Sequence, residues 1–244
     1  MPRILQESEN SLFLRLQKKH DDPNHEMKTD TTTTNAPMPT TKTTLVFATA
    51  NAHKVEEVRA LLRASGSAIA DRYEILSLID IGCTDDIPET SATFEGNALQ
   101  KAEYVKVHYG YDCFADDSGL EVRALGMEPG VRSARYASEV GHDSEANIRK
   151  LLDNLKRQKD RTAQFRTVIV LLMDGRKETF EGICRGTILE ERSGTGGFGY
   201  DPVFRPEGEE RTFAQMTMAE KNAISHRGRA VRRLVEFLAG DPEA

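Results

Sequence analysis

Asp116 and Asp117 are adjacent, preceded by the apolar Cys113-Phe114-Ala115 and followed by Ser118-Gly119. A buried strand that ends in a turn here would lift both carboxylates to its tip, where open α/β sheets place their ligands. Adjacent like charges repel, so the pair is tolerable only where a cation, a basic side chain or a shared proton relieves it. Hard carboxylate oxygens suit Mg²⁺, and a phosphate substrate would complete the shell of such an ion. A solvated Asp-Asp-Ser-Gly turn would use the same residues without chemistry.

Other segments carry groups that suit an anionic, aromatic ligand. Thr49-Ala50-Asn51-Ala52-His53-Lys54 follows an apolar run and opens a helical pattern. Backbone N–H groups and a positive helix end there would favour phosphate, with Lys54 adding a mobile cation. Asn51 as a simple N-cap and Lys54 as a surface lysine explain the same residues. Glu89, after Pro88 in the acidic loop Asp85-Asp86-Ile87, is a candidate third carboxylate, although loop charge runs are usually solvated. Glu95 and Asn97 open the next helix, where an acidic residue also suits the helix dipole.

Thr195-Gly196-Gly197-Phe198-Gly199-Tyr200-Asp201-Pro202 embeds two aromatics among glycines, at a loop-entropy cost that a plain connection would not require. A shaped loop presenting an aromatic ring can stack on a nucleobase; equally, its rings can fold back onto the core. Ser225-His226-Arg227-Gly228 begins the last helical pattern, with Lys221 one turn upstream. This is a second phosphate-compatible helix start beside a fixed cation and an imidazole, or else a cap followed by solvated basic residues.

The elements that must position these groups come from hydrophobic periodicity. Leu45 to Ala48 is a strand-length apolar run, and Val55, Val58, Leu61 and Leu62 follow at helical spacing. Helices are expected over about 95–109, stopped by Gly110, and over about 144–155. Phe165 to Met173 is a strand, and Asp174-Gly175 a two-residue hairpin turn into another strand through Phe180 and Ile183. Thr217-x-x-Glu220 is a capping-box pattern, and Val231, Leu234, Val235 and Leu238 stripe the final helix. A mixed, partly antiparallel α/β sheet in one domain from Thr43 to Gly240 fits this order.

The 244 residues are 38% hydrophobic and 30% charged, as in a soluble globular protein. A formal net charge of -6 argues against nucleic acid or an anionic membrane as the main partner. The three cysteines are far apart and in no Cys-x-x-Cys spacing, which points to a reducing, cytoplasmic setting and away from a zinc site. No apolar run approaches the roughly 18 residues of a membrane span. Residues 1–42 differ in kind, with a threonine-dominated stretch from Thr29 to Thr44, and are expected to be a disordered tail. Met27 and Met38 lie within it and offer alternative starts.

The ordered motifs Thr-x-Asn-x-x-Lys (Thr49 to Lys54), Thr93-Phe94-Glu95-Gly96-Asn97-Ala98, Ala115-Asp116-Asp117-Ser118-Gly119-Leu120, Pro129 to Tyr136, Gly-Gly-Phe-Gly-Tyr-Asp-Pro (Gly196 to Pro202) and Ser-His-Arg-Gly (Ser225 to Gly228) closely resemble the inosine triphosphate pyrophosphatase family. The resemblance runs from Leu45 to Leu238. It implies a homodimer with an elongated mixed sheet, helices on its flanks and a deep substrate cleft. It also implies Mg²⁺-dependent hydrolysis of ITP, dITP and XTP to the monophosphate and pyrophosphate. By motif, Asp117 would be the general base and a metal ligand and Glu89 the second metal contact. Ser118 would lie beside the substrate. Thr49, Ala50, Asn51, Ala52, His53 and Lys54 would hold the triphosphate with help from Lys221. Phe198, Gly199, Tyr200 and Asp201, with His226 and Arg227, would form the base pocket. Ala50 stands where the family often has Gly or Asn. A nucleotide sensor without turnover, or a pyrophosphatase for modified pyrimidines, would share the pocket.

Overall fold

The computed structural model describes residues 42–64, 66–138 and 143–240. The expected disordered tail lies outside these residues, apart from Lys42. The elements are β1 (Thr43–Phe47), α1 (Ala52–Ala64), α2 (Ser67–Arg72), β2 (Tyr73–Ser77), α3 (Phe94–Tyr109), β3 (Cys113–Val122), α4 (Ser144–Leu155), β4 (Thr162–Met173), β5 (Arg176–Ile188), β6 (Phe204–Pro206), α5 (Met218–Ile224) and α6 (His226–Ala239). Short 3₁₀ turns cover Arg123–Leu125, Gly130–Arg135 and Phe213–Gln215.

The strands form one six-stranded sheet in the order β2-β1-β3-β4-β5-β6. β2, β1 and β3 run parallel, and the pairs β3–β4, β4–β5 and β5–β6 are antiparallel. Alternation along the strands divides the core. Leu45, Phe47, Phe114 and Ile169 pack with Val58 of α1 and Val231 and Leu234 of α6. Val46, Ala48, Cys113 and Ala115 pack on the other face with Ala102 and Val105 of α3. Phe47 and Phe114 stack across the β1–β3 pair with ring centres 4.7 Å apart. A third apolar cluster joins Leu120 and Phe165 to Ile148, Leu151 and Leu155 of α4 and to Tyr200, Phe204 and Phe213.

One expectation is corrected. The strand does not end before the aspartates: β3 continues through Val122, and Asp116, Asp117 and Ser118 pair with Ile169, Val168 and Thr167 of β4. What ends here is the parallel partner. β1 pairs with β3 only through Phe114, so the β1–α1 loop sits beside the stretch of β3 that carries the aspartates. Polar residues in a run of this kind imitate a turn. Here they stay in the ladder because charged partners on both faces compensate their burial.

Other boundaries follow local chemistry. Thr93 caps α3 by accepting from Gly96 N, and Gly110 ends it with φ 75°. Asp174 and Gly175 have φ of 50° and 74°, as a two-residue hairpin turn with positive φ at both positions requires. The Thr217/Glu220 capping box opens the short α5, and Ser225 separately caps α6 by accepting from Gly228 N. α2, β2 and β6 carry weak periodicity and escape sequence reasoning.

The first turn of α6 rests directly on β5 at Gly182, where any Cβ would collide with the His226 carbonyl oxygen and the Ala230 nitrogen. Gly182→Ala must therefore push α6 off the sheet. It is expected to destabilise the fold by about 1–3 kcal/mol, as overpacking does, and urea unfolding measures it.

Candidate active site

Successive residues of β3 face opposite sides of the sheet, which separates the two aspartates. Asp116 shares the Phe114 face, toward α1 and α6. It is 1% exposed. Its Oδ1 accepts from Lys54 Nζ at 2.8 Å, and its Oδ2 accepts from Arg227 Nε at 3.1 Å and from Ser118 Oγ at 3.0 Å. Burial alone would raise its pKa, but the charges of Lys54, Arg227 and Lys101 overcome this and hold it well below the usual carboxylate range.

Arg227 extends the network, since its Nη1 donates to Glu57 Oε2. Glu57 Oε1 accepts from Lys221 Nζ at 2.9 Å, and Lys221 also donates to Asp201 Oδ2 at 2.7 Å. Arg227, Glu57, Lys221 and Asp201 are all buried. A buried guanidinium is sustained only when its charge and its hydrogen bonds are both matched, as Asp116 and Glu57 do here.

Asp117 faces α3. Its Oδ2 accepts from Asn97 Nδ2 at 2.9 Å, and its Oδ1 accepts from Ser118 N at 2.8 Å. Burial raises its pKa; Lys101 and Lys54 oppose the rise, whereas Glu89 adds to it. Lys101, one turn beyond Asn97 on α3, donates from Nζ to Glu89 Oε1 and, at 2.7 Å, to the Asp116 carbonyl. Arg135 Nη2 stands 3.6 Å from the other Glu89 oxygen. Among the described residues no three His, Cys, Asp or Glu side chains gather into an all-protein metal cage.

The 3₁₀ turn that carries Arg135 is tied to two other parts of the site. Ser133 Oγ accepts from Leu120 N of β3 at 2.8 Å, and the Ser133 carbonyl accepts from Tyr200 Oη at 2.9 Å. Tyr200 is therefore an anchor buried in the core, and Phe198 is the partly exposed ring of the loop. Phe198 N donates to Asp201 Oδ2 at 2.9 Å, and Lys221 Nζ lies 4.5 Å from its ring centre. His53 stacks on Phe198 at 5.4 Å with the planes 13° apart. His226 is buried, stacked on Phe165 at 4.6 Å, and its Nδ1 has no hydrogen-bond partner among the described residues. Burial, then the charges of Arg227 and Lys221, lower its pKa well below the ordinary histidine value, so the imidazole is neutral.

Eight of the residues singled out in the sequence thus connect through hydrogen bonds and ion pairs: Lys54, Asp116, Asp117, Ser118, Phe198, Asp201, Lys221 and Arg227. Thr49 and Asn51 make local caps, Asn51 N donating to Thr49 Oγ1 and Lys54 N to Asn51 Oδ1. Ala50 and Ala52 are exposed beside them, and Gly199 has φ 59° in the turn before Tyr200. Sequence reasoning missed Glu57, Lys101 and Arg135. Helical spacing could have found two of them, since Glu57 is three residues after Lys54 and Lys101 four after Asn97, on shared helix faces. Arg135 offers no comparable signal.

In a reaction that uses Asp117 as its base, the carboxylate must be ionised to accept a proton, so a raised Asp117 pKa moves the acidic limb of the rate profile upward. The Asn97 amide stabilises the carboxylate. Asn97→Ala should therefore shift that limb of kcat/KM to higher pH, and a profile that stays in place would remove Asp117 as the titrating group.

Comparison with known proteins places this arrangement. The sequence matches the Ham1 family over residues 45–237. It is 54% identical over 195 residues to a dITP/XTP pyrophosphatase of Christiangramia forsetii, covering 80% of this chain and 98% of that one. The structure of the Staphylococcus aureus Ham1 protein is similar with a TM-score of 0.71 and 38% identity, covering 81% of this chain and 99% of that chain. A HAM1 protein structure from Coxiella burnetii gives 0.73 at 35% identity, over 81% and 99% of the two chains. The long ordered motifs, the mixed sheet and these matches agree, and the chain belongs to the Ham1 family.

Proposed function

We propose that the protein hydrolyses deaminated purine nucleoside triphosphates, ITP, dITP and XTP, to the nucleoside monophosphate and pyrophosphate, and so removes them from the nucleotide pool. The observation that carries this reading is the opposite treatment of two neighbouring carboxylates. Asp116 is held as an anion by Lys54 and Arg227, which donate to its two oxygens, whereas burial raises the pKa of Asp117, whose oxygens accept, among the described residues, only from the Asn97 amide and the Ser118 N–H. Environments that drive two titratable groups apart mark acid–base assignments. The relatives' name, dITP/XTP pyrophosphatase, supports the substrate class.

Attack of water on the α-phosphorus needs a base to orient the water and take its proton, and Asp117 fills that role. Lys54, at the start of α1, holds the phosphate chain together with the backbone N–H groups of that turn. Lys101 and Lys221 supply further positive charge for the oxygens of departing pyrophosphate. Phe198 offers a stacking face for the base. The neutral His226 imidazole and the Arg227 segment supply polar groups for a 6-keto purine, and adenine's amino group would leave such donors unpaired.

The donor set suits Mg²⁺. Asp117 and Glu89 are hard oxygen ligands whose mutual repulsion a divalent ion would relieve, and because no third His, Cys, Asp or Glu gathers with them into a metal cage among the described residues, the phosphates and water would complete the shell. Bound there, the ion would neutralise phosphate oxygens. We place the enzyme in the cytoplasm as a homodimer. The buried free cysteines Cys83, Cys113 and Cys184 suit that compartment, and no described helix is long and apolar enough to cross a membrane.

Purified protein with Mg²⁺ and ITP should release pyrophosphate, with ATP turned over far more slowly. Orthophosphate as the only product, or equal ITP and ATP rates, would overturn the reading, and tight ITP binding without turnover would indicate a sensor. Asp117→Asn should lower kcat by at least about 100-fold, the scale of general-base removal, while far-UV dichroism stays unchanged.

A further inference from the structure

We propose that this site refuses a free divalent cation and admits one only together with a polyphosphate, because Lys101 and Arg135 already stand against the carboxylate oxygens that the ion would take. The inference rests on Glu89 and Asp117 being the metal carboxylates.

Glu89 is engaged on both oxygens: Lys101 Nζ donates to Oε1, and Arg135 Nη2 lies 3.6 Å from Oε2. Lys101 is no loose surface cation. Its side chain is 10% exposed and is fixed to the strand by its 2.7 Å hydrogen bond to the Asp116 carbonyl. Asp117, within the field of the same ammonium, receives two further hydrogen bonds, from Asn97 and from the Ser118 backbone. Glu89 thus stands against two cations, and Asp117 lies in the field of Lys101 and Lys54, so the two carboxylates that would take the ion already have basic partners. Across the strand, Asp116 is matched in the same way by Lys54 and Arg227.

An incoming divalent ion would meet a buried ammonium competing for the same Glu89 oxygen, and it would add positive charge where Lys101 and Arg135 already stand. A selective all-oxygen site normally shows the opposite, a surplus of anionic ligands. A triphosphate reverses the balance. Its oxygens can accept Lys101, Lys54 and Arg135, which releases the Glu89 carboxylate and gives the ion the negative charge it needs. Binding is then coupled and reciprocal: polyphosphate tightens metal binding by the same factor by which metal tightens polyphosphate binding. In this account Lys101 holds the metal's place in the resting protein and yields it when the substrate arrives.

The test titrates Mn²⁺, an oxygen-preferring ion with a paramagnetic signal, into the full-length protein without nucleotide and follows the signal of the free aqua ion. Wild-type protein should leave that signal unchanged. Lys101→Met should gain one site at least about tenfold tighter than any wild-type uptake, within the usual range of coupling between sites. Lys101→Arg should retain the exclusion. Thermal melting confirms that each variant is folded, and Arg135→Gln, at a side chain 38% exposed, gives a milder variant expected to gain Mn²⁺ affinity in the same direction. Stoichiometric Mn²⁺ uptake by wild type alone would overturn the proposal. So would folded Lys101→Met and Arg135→Gln variants that bind no more metal than wild type. Undiminished pyrophosphate release from ITP in excess chelator would be a different failure, removing Glu89 and Asp117 as metal ligands altogether.

Discussion

The buried contact of Asp116 with Lys54 and Arg227 holds the site together. It joins the first turn of α1, the middle of β3 and the first turn of α6 at a single carboxylate that is 1% exposed. Such a contact is no cheap source of stability, because desolvating three charged groups costs much of what their attraction returns. What it provides is exclusivity. Any arrangement that separates the three elements leaves a bare charge in the core, so the helix starts are held where the strand needs them.

From that centre the side-chain network spreads toward α5 and the loop of Phe198. Arg227 and Lys221 meet on Glu57, and Lys221 reaches Asp201, which in turn accepts from the backbone of Phe198. The loop of Phe198 is thereby tied to the same network of charges as Lys54. On the other face Asp117 groups with Asn97, Lys101 and Glu89, joined to Asp116 through Ser118 and the Lys101 contact to the strand. The intervening strand places the two aspartates on opposite faces with different partners, although their sequence positions are adjacent.

Much of this was legible in the sequence, and the reasons for the remainder are physical. Strong periodicity gave α3 and α4 within a residue or two, and turn chemistry gave the Asp174-Gly175 hairpin. The site motifs were found because they combine residue types that a fold alone does not require. The course of β3 through Asp116 to Gly119 was misread because burial of charge is decided by partners distant in sequence: Lys54, Asn97 and Arg227. Glu57 and Lys101 were hidden for the same reason, as charged residues on helices that look solvent-facing until the helices are placed. β2 and β6 are short, and their existence depends on neighbouring strands more than on their own composition.

The uninterrupted ladder through Asp116 and Asp117 has a consequence for how the protein can fail. Side chains on a strand alternate with period two, so a slip of one residue in the β3–β4 pairing exchanges the faces of the two carboxylates. Asp117 would then be turned toward Lys54 and Arg227, and Asp116 toward Asn97. Composition, sheet and hydrophobic content would hardly change, yet the proposed base would meet the partners that fix Asp116 as an anion. Register therefore acts here as a yes-or-no condition on the chemistry, and insertion or deletion of a single residue within β3 is a more damaging class of change than most substitutions along it.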